Sequence, residues 1–167
     1  MKRFRPFAWL LVGACFLMLL TGYTNPIVWQ TSRDQAVEAA RSSGKLIILF
    51  AGRQKCGNCK EMKKVFETPN VRQVIDANYI CWYSDMDKSA EWYPYEAGLG
   101  TLYWIPIICV IDPKDPTHYL DRTTSTQLPS SFEARLRSHV PAWAQAHPVA
   151  APAPAPQAGC AGPHRTN

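Results

Sequence analysis

Two cysteines with two residues between them, Cys56-Gly57-Asn58-Cys59, are the chemistry-bearing feature of this 167-residue chain. Thiols at this spacing can close into a disulfide, supply half of a metal site, or exchange electrons with another thiol pair. Their neighbours help to choose. Leu46-Ile47-Ile48-Leu49-Phe50 is an unbroken apolar run suited to a strand buried on both faces. A helical pattern opens at Gly57, with Cys59, Met62 and Phe66 on one face and Lys60, Lys63 and Lys64 mostly toward solvent. A cysteine at a helix start meets free N–H groups and the positive end of the helix dipole, so its thiolate is stabilised and its pKa falls below about 8.5. Cys56 is thus expected to be the exposed nucleophile, and Cys59, one turn on, the thiol that resolves a mixed disulfide. Lys55 and Lys60 flank the pair; they either lower the Cys56 pKa further or are plain solvated charges.

The remaining candidates are weaker. A structural zinc site takes four ligands, usually as two pairs. Cys81 and Cys109 fall in expected strands and read as small buried hydrophobes, and His118, His139, His147 and His164 form no ligand pair. No His or Met cluster suits copper, so no metal is expected. Cys160 is either a cross-linking thiol or incidental. The aromatic group Trp92, Tyr93, Tyr95, Tyr103 and Trp104 either lines a binding groove or packs as core, mostly the latter.

The chain has one domain's length. Its net charge is +5, but Lys2, Arg3 and Arg5 supply three of those charges, and without them it is +2. No basic stripe of the nucleic-acid-binding kind is present, and that class is set aside. Residues 1–22 read as a signal peptide or N-terminal membrane anchor: a basic start, then the apolar run Phe7–Leu20, shorter than the ~20 residues a bilayer span needs. Leu20-Thr21-Gly22 is the best cleavage candidate, and Cys15 resembles a lipidation site only weakly. The expected location is periplasmic or otherwise exported, soluble or held at the inner membrane by the N-terminus. In an oxidising compartment paired cysteines either form structural disulfides or do redox work.

Residues 23–143 carry the domain. A helix is expected over Thr31–Ser43, with Ser32 and Gln35 as a capping box and Gly44 as its stop. The Leu46–Phe50 strand and the Cys56 helix follow. Thr68-Pro69 starts a further helix to about Ala77, Tyr79–Tyr83 is a strand, and Trp92–Trp104 is a short helix and loop. Ile107–Ile111 and Tyr119–Thr123 are expected to hairpin across the turn at Asp112–Pro116, and Ser130 or Ser131 caps a last helix reaching Val140. This order predicts an α/β fold, a central mixed sheet with helices on both faces. Residues 144–167, rich in Ala and Pro, read as a disordered tail.

The run Leu46–Phe50, the Cys56-Gly-Asn-Cys59-Lys60 segment, Phe66 and Pro69 together resemble the thioredoxin superfamily, nearest its exported branch that includes the soluble domain of Dsb-type membrane reductases. The resemblance covers roughly residues 29–140. It implies a thioredoxin-like fold and a thiol–disulfide oxidoreductase acting on protein clients. No cofactor is implied beyond the cysteine pair itself, and a membrane or periplasmic thiol donor would recharge it. In this family a cis-proline faces the cysteines and presents backbone to the client, a role that falls on Ile105 and Pro106. Three departures stand out: Lys55 replaces the usual Trp, the central strand holds no acid, and the intervening dipeptide is Gly57-Asn58 in place of Gly-Pro. Lys55, Gly57 and Asn58 are therefore expected to tune the redox poise. Reductase or exchange duty is favoured over primary oxidant. The alternative is a non-catalytic binding module of an envelope complex with a structural disulfide.

Overall fold

Ser32 begins the first helix as expected: its Oγ accepts a hydrogen bond from the Gln35 N–H at 3.3 Å, and α1 runs Arg33–Ser43. Gly44 ends it at φ 63°, a left-handed conformation that costs glycine little. The computed structural model describes residues 26–146. The expected export segment, Cys15, Cys160 and the tail beyond 146 lie outside the described residues.

Before α1 comes a two-residue strand, β1 (Trp29–Gln30), which no sequence signal announced. β2 (Leu46–Gly52) is buried along its whole length. Then come α2 (Gly57–Phe66), α3 (Pro69–Asn78), β3 (Tyr79–Asp85), a 3-10 turn at Tyr93–Tyr95, β4 (Ile107–Ile111), β5 (Asp121–Thr124) and α4 (Pro129–Ala146). The five strands form one mixed sheet in the order β1-β3-β2-β4-β5. β3 lies parallel to β1 and β2, while β4 is antiparallel to β2 and β5.

β2 sits at the centre, and its alternation divides the core. Leu46, Ile48 and Phe50 pack with Met62 and Phe66 of α2, Val71 and Val74 of α3, and Phe132 and Leu136 of α4. Ile47, Leu49 and Ala51 pack on the other face with Ala36 and Ala40 of α1 and with Trp82, Trp92 and Tyr95. Helices therefore cover both faces, and the fold is thioredoxin-like.

Several details differ from the sequence reading. β5 starts at Asp121, two residues late, because Tyr119 and Leu120 belong to the exposed turn. α4 opens on Pro129, whose fixed φ and missing N–H suit the first turn, so Ser130 and Ser131 lie inside the helix. It continues through Pro141 to Ala146, although a proline inside a helix removes one backbone donor. The aromatic group divides: Trp92 and Tyr95 are core, whereas Tyr93 and Trp104 are exposed.

Candidate active site

The site forms where β2 ends and α2 begins. Cys56 is the N-cap of α2, with extended backbone, and its Sγ accepts a hydrogen bond from the Cys59 N–H at 3.0 Å. This is the contact that a helix start offers an anion: an otherwise unpaired N–H aimed at sulfur. Cys56 and Cys59 form a disulfide with their Cα atoms 5.2 Å apart. Cys56 is partly exposed and Cys59 is buried, so an incoming sulfur can reach only the first of them. The other described cysteines, Cys81 and Cys109, are free and buried. Burial raises both thiols, Cys109 to about 12, which leaves them un-ionised at neutral pH.

Gly52 makes the close approach of Cys59 feasible. A Cβ at this position would lie 3.0 Å from Cys59 Sγ and 2.9 Å from the Phe50 ring. The last residue of β2 thus has to lack a side chain for the buried sulfur to seat against the sheet. Gly57 has nothing within 4 Å of its Cβ position, so no steric need fixes it.

Facing the cysteines is the segment before β4. The Ile105–Pro106 peptide bond is cis, and the Ile105 carbonyl oxygen lies 3.8 Å from Cys56 Sγ. Pro106 is buried and Ile105 partly so. The turn after β5 ties this segment to α2. The Ser125 N–H, at φ 65°, donates to both Trp104 O and Pro106 O at 3.0 Å. The Thr126 hydroxyl donates to Asn58 O at 3.3 Å, and the Gln127 N–H donates to Met62 Sδ at 3.3 Å. Three consecutive residues therefore bridge the two halves of the site. Nothing in the order of residues 125–127 marked them, because their partners lie 19 to 68 positions away.

Lys55 and Lys60 stand exposed, and among the described residues neither forms an ion pair. Lys63 departs from its solvent-side reading. It is half-buried, with its Nζ 4.0 Å from the Tyr83 ring centroid, 5.6 Å from that of Phe50 and 5.8 Å from that of Trp29. Burial lowers its pKa, and the Asp85 carboxylate partly restores it. The i, i+4 spacing from Cys59 was the available signal for this residue. Leu102 and Trp104, 95 % and 74 % exposed, precede Ile105 in the chain. Among the described residues, no three His, Cys, Asp or Glu side chains gather as a metal site.

Among solved structures, the chain is similar to a thioredoxin from Thermus thermophilus at 19% identity and TM-score 0.59, covering 74% of this chain and 95% of that one. It is also similar to the oxidised C-terminal domain of Neisseria meningitidis DsbD at 15% identity and TM-score 0.51, covering 66% and 98%. No curated protein matches the sequence significantly. A thioredoxin-like family model matches residues 28–113, just over half of the chain, and spans both cysteines and Pro106. With a disulfide-forming CxxC at the start of its second helix, the chain belongs to the thioredoxin-like family as a thiol–disulfide oxidoreductase.

Proposed function

We propose that this oxidoreductase is exported and exchanges disulfides with cysteine-bearing protein clients, acting as a reductase or exchanger in preference to a primary oxidant. The observation that carries the exchange is the asymmetry of the pair: a partly exposed Cys56 at a helix N-terminus, above a buried Cys59. In the reducing direction, the Cys56 thiolate attacks a client disulfide and one client sulfur leaves with the electron pair. Cys59 then attacks Cys56, releasing the second client thiol and leaving the pair oxidised. The electrons reside on the cysteines, so the reaction needs no organic cofactor or metal. A thiol donor at the membrane or in the periplasm returns them. The likeness in fold to the DsbD C-terminal domain supports a donor of that kind.

On this reading Ile105 and Pro106 meet client backbone, supported by the Ile105 carbonyl 3.8 Å from Cys56 Sγ, and the exposed Trp104 and Leu102 meet client side chains. Export rests on the basic and apolar start of the sequence.

The test is a Cys59→Ser variant expressed with its N-terminal segment intact. Without the resolving thiol, mixed disulfides at Cys56 accumulate in the exported fraction and disappear on reduction. If Cys59→Ser trapped no more protein than Cys56→Ser, client exchange would be wrong. Retention of the protein in the cytoplasmic fraction would overturn export. A pair with a potential well below about −300 mV would mark a structural disulfide instead.

A further inference from the structure

Resolution places the harder demand on the buried sulfur. Cys59 is 2 % exposed, and a thiol removed from water resists ionisation, yet it must become a thiolate to attack Cys56. β2 supplies no acid or base for this, because Leu46–Gly52 holds only apolar residues and a glycine. The charge that shares the helix face of Cys59 is Lys63, one turn on.

The placement of Lys63 is unusual for a lysine. Lys60 and Lys64 extend into solvent, whereas the Lys63 ammonium is drawn over the faces of Tyr83, Phe50 and Trp29. Aromatic faces attract a cation and keep it charged in a half-dry place. Cys59 shares a core cluster with Phe50, and its Sγ and a Phe50 ring carbon flank one point, the Gly52 Cβ position, each within 3.0 Å of it. The Phe50 ring of the central strand thus neighbours both the sulfur and the ammonium.

The other groups around them are few. β3 contributes Tyr83 and Asp85; the Asp85 carboxylate acts on Lys63 and also pairs with Lys88 at 3.6 Å. Arg53 and Asp87 pair with each other at 3.2 Å at the loop ends, and on α2 Lys64 pairs with Glu61 at 2.8 Å.

We propose that Lys63 is a positioning residue whose ammonium, held on this aromatic floor, stabilises the Cys59 thiolate during resolution of the mixed disulfide. This rests on the oxidoreductase reading above. The Cys59 proton goes to water and the thiolate attacks Cys56 Sγ. The Cys56–client bond breaks with its electron pair on the client sulfur, which then takes a proton from water. Over attack and resolution together the cysteine pair is oxidised by two electrons and the client disulfide is reduced by two, and Lys63 keeps its proton throughout.

The test mixes the reduced protein with an aromatic nitrobenzoate disulfide in a stopped-flow instrument. The first, bimolecular release of coloured thiolate reports Cys56, and the second, unimolecular release reports Cys59. In Lys63→Met the second phase slows roughly tenfold at neutral pH and its pH midpoint rises by about one unit. Lys63→Arg keeps the midpoint near wild type, and Asp85→Asn lowers it by freeing the ammonium from its counter-charge. An unmoved midpoint in Lys63→Met, or an equal rise in Lys63→Arg, overturns the proposal. If Lys63→Met does not fold, an unmoved or raised midpoint in Asp85→Asn overturns it. Absence of the first phase in wild type overturns the oxidoreductase reading itself.

Discussion

At the level of single residues, two glycines beside the active site do opposite things. Gly52 leaves its side-chain space to Cys59 Sγ and the Phe50 ring, so that a Cβ there would come within 3.0 Å of both. Gly52→Ala is expected to push the sulfur and the ring apart and to cost about 1–3 kcal/mol, as overpacking in a tight core does. Gly57 faces open space at the first turn of α2. Gly57→Ala is expected to raise stability by up to about 1 kcal/mol, because alanine loses less backbone entropy on entering a helix. Urea unfolding of the two oxidised variants beside wild type checks both signs. Sequence spacing identified Cys56 and Cys59 because helix periodicity and the end of an apolar run are local signals. It did not identify the need at Gly52, since that glycine looks like any other strand end until Cys59 packs on it.

At the level of elements, the site depends on a turn that belongs to none of the elements bearing the cysteines. Ser125 adopts φ 65° and directs one N–H to two carbonyls on either side of Ile105. A left-handed conformation costs a residue with a Cβ about 1–2 kcal/mol, close to the entropy that glycine would lose in its place. Ser125→Gly is therefore expected to change stability by no more than about 1 kcal/mol. Ser125→Pro, which removes the N–H and forbids the backbone angle, is expected to cost about 3 kcal/mol or more. Thermal melts of the pair with wild type separate the two outcomes. Helix α1 shows the opposite case: Ser32, Gln35 and Gly44 define it by contacts within four residues, and its sequence reading needed adjusting by only two positions.

At the level of the whole molecule, β5 and α4 are joined across the sheet by one carboxylate. Asp121 accepts from Arg135 Nη1 at 2.6 Å through Oδ1 and at 2.5 Å through Oδ2, and lies 3.3 Å from His139 Nε2. Burial alone would raise this carboxyl, but the Arg135 guanidinium and then His139 reverse it and hold Asp121 below the ordinary carboxylate range. The folded state therefore binds that proton less readily than the unfolded chain. The resulting stability is present above about pH 4 and is lost as pH falls through the depressed value. Asp121→Asn is expected to lower stability at pH 7 by about 1 kcal/mol, a figure kept small by the part-exposed guanidinium. It should narrow the gap between urea midpoints at pH 7 and pH 3; a gap as wide as in wild type would refute the assignment.

Whatever a local pattern can encode was legible in the residues. The apolar run of β2, the cap and stop of α1, the Thr68-Pro69 start of α3, the limits of β4 and a redox pair at a helix start all rest on neighbours a few residues apart. What Cys56 and Cys59 face was set by the folding of distant segments onto them. The Ile105 carbonyl is brought to Cys56 across 49 positions and the Thr126 hydroxyl to Asn58 across 68, while the Lys63 ammonium settles on rings from three strands. Such contacts form when the sheet closes and leave no period or motif in the chain. The chemistry of the two sulfurs was therefore legible from the residues, and the surroundings that tune them were set by packing.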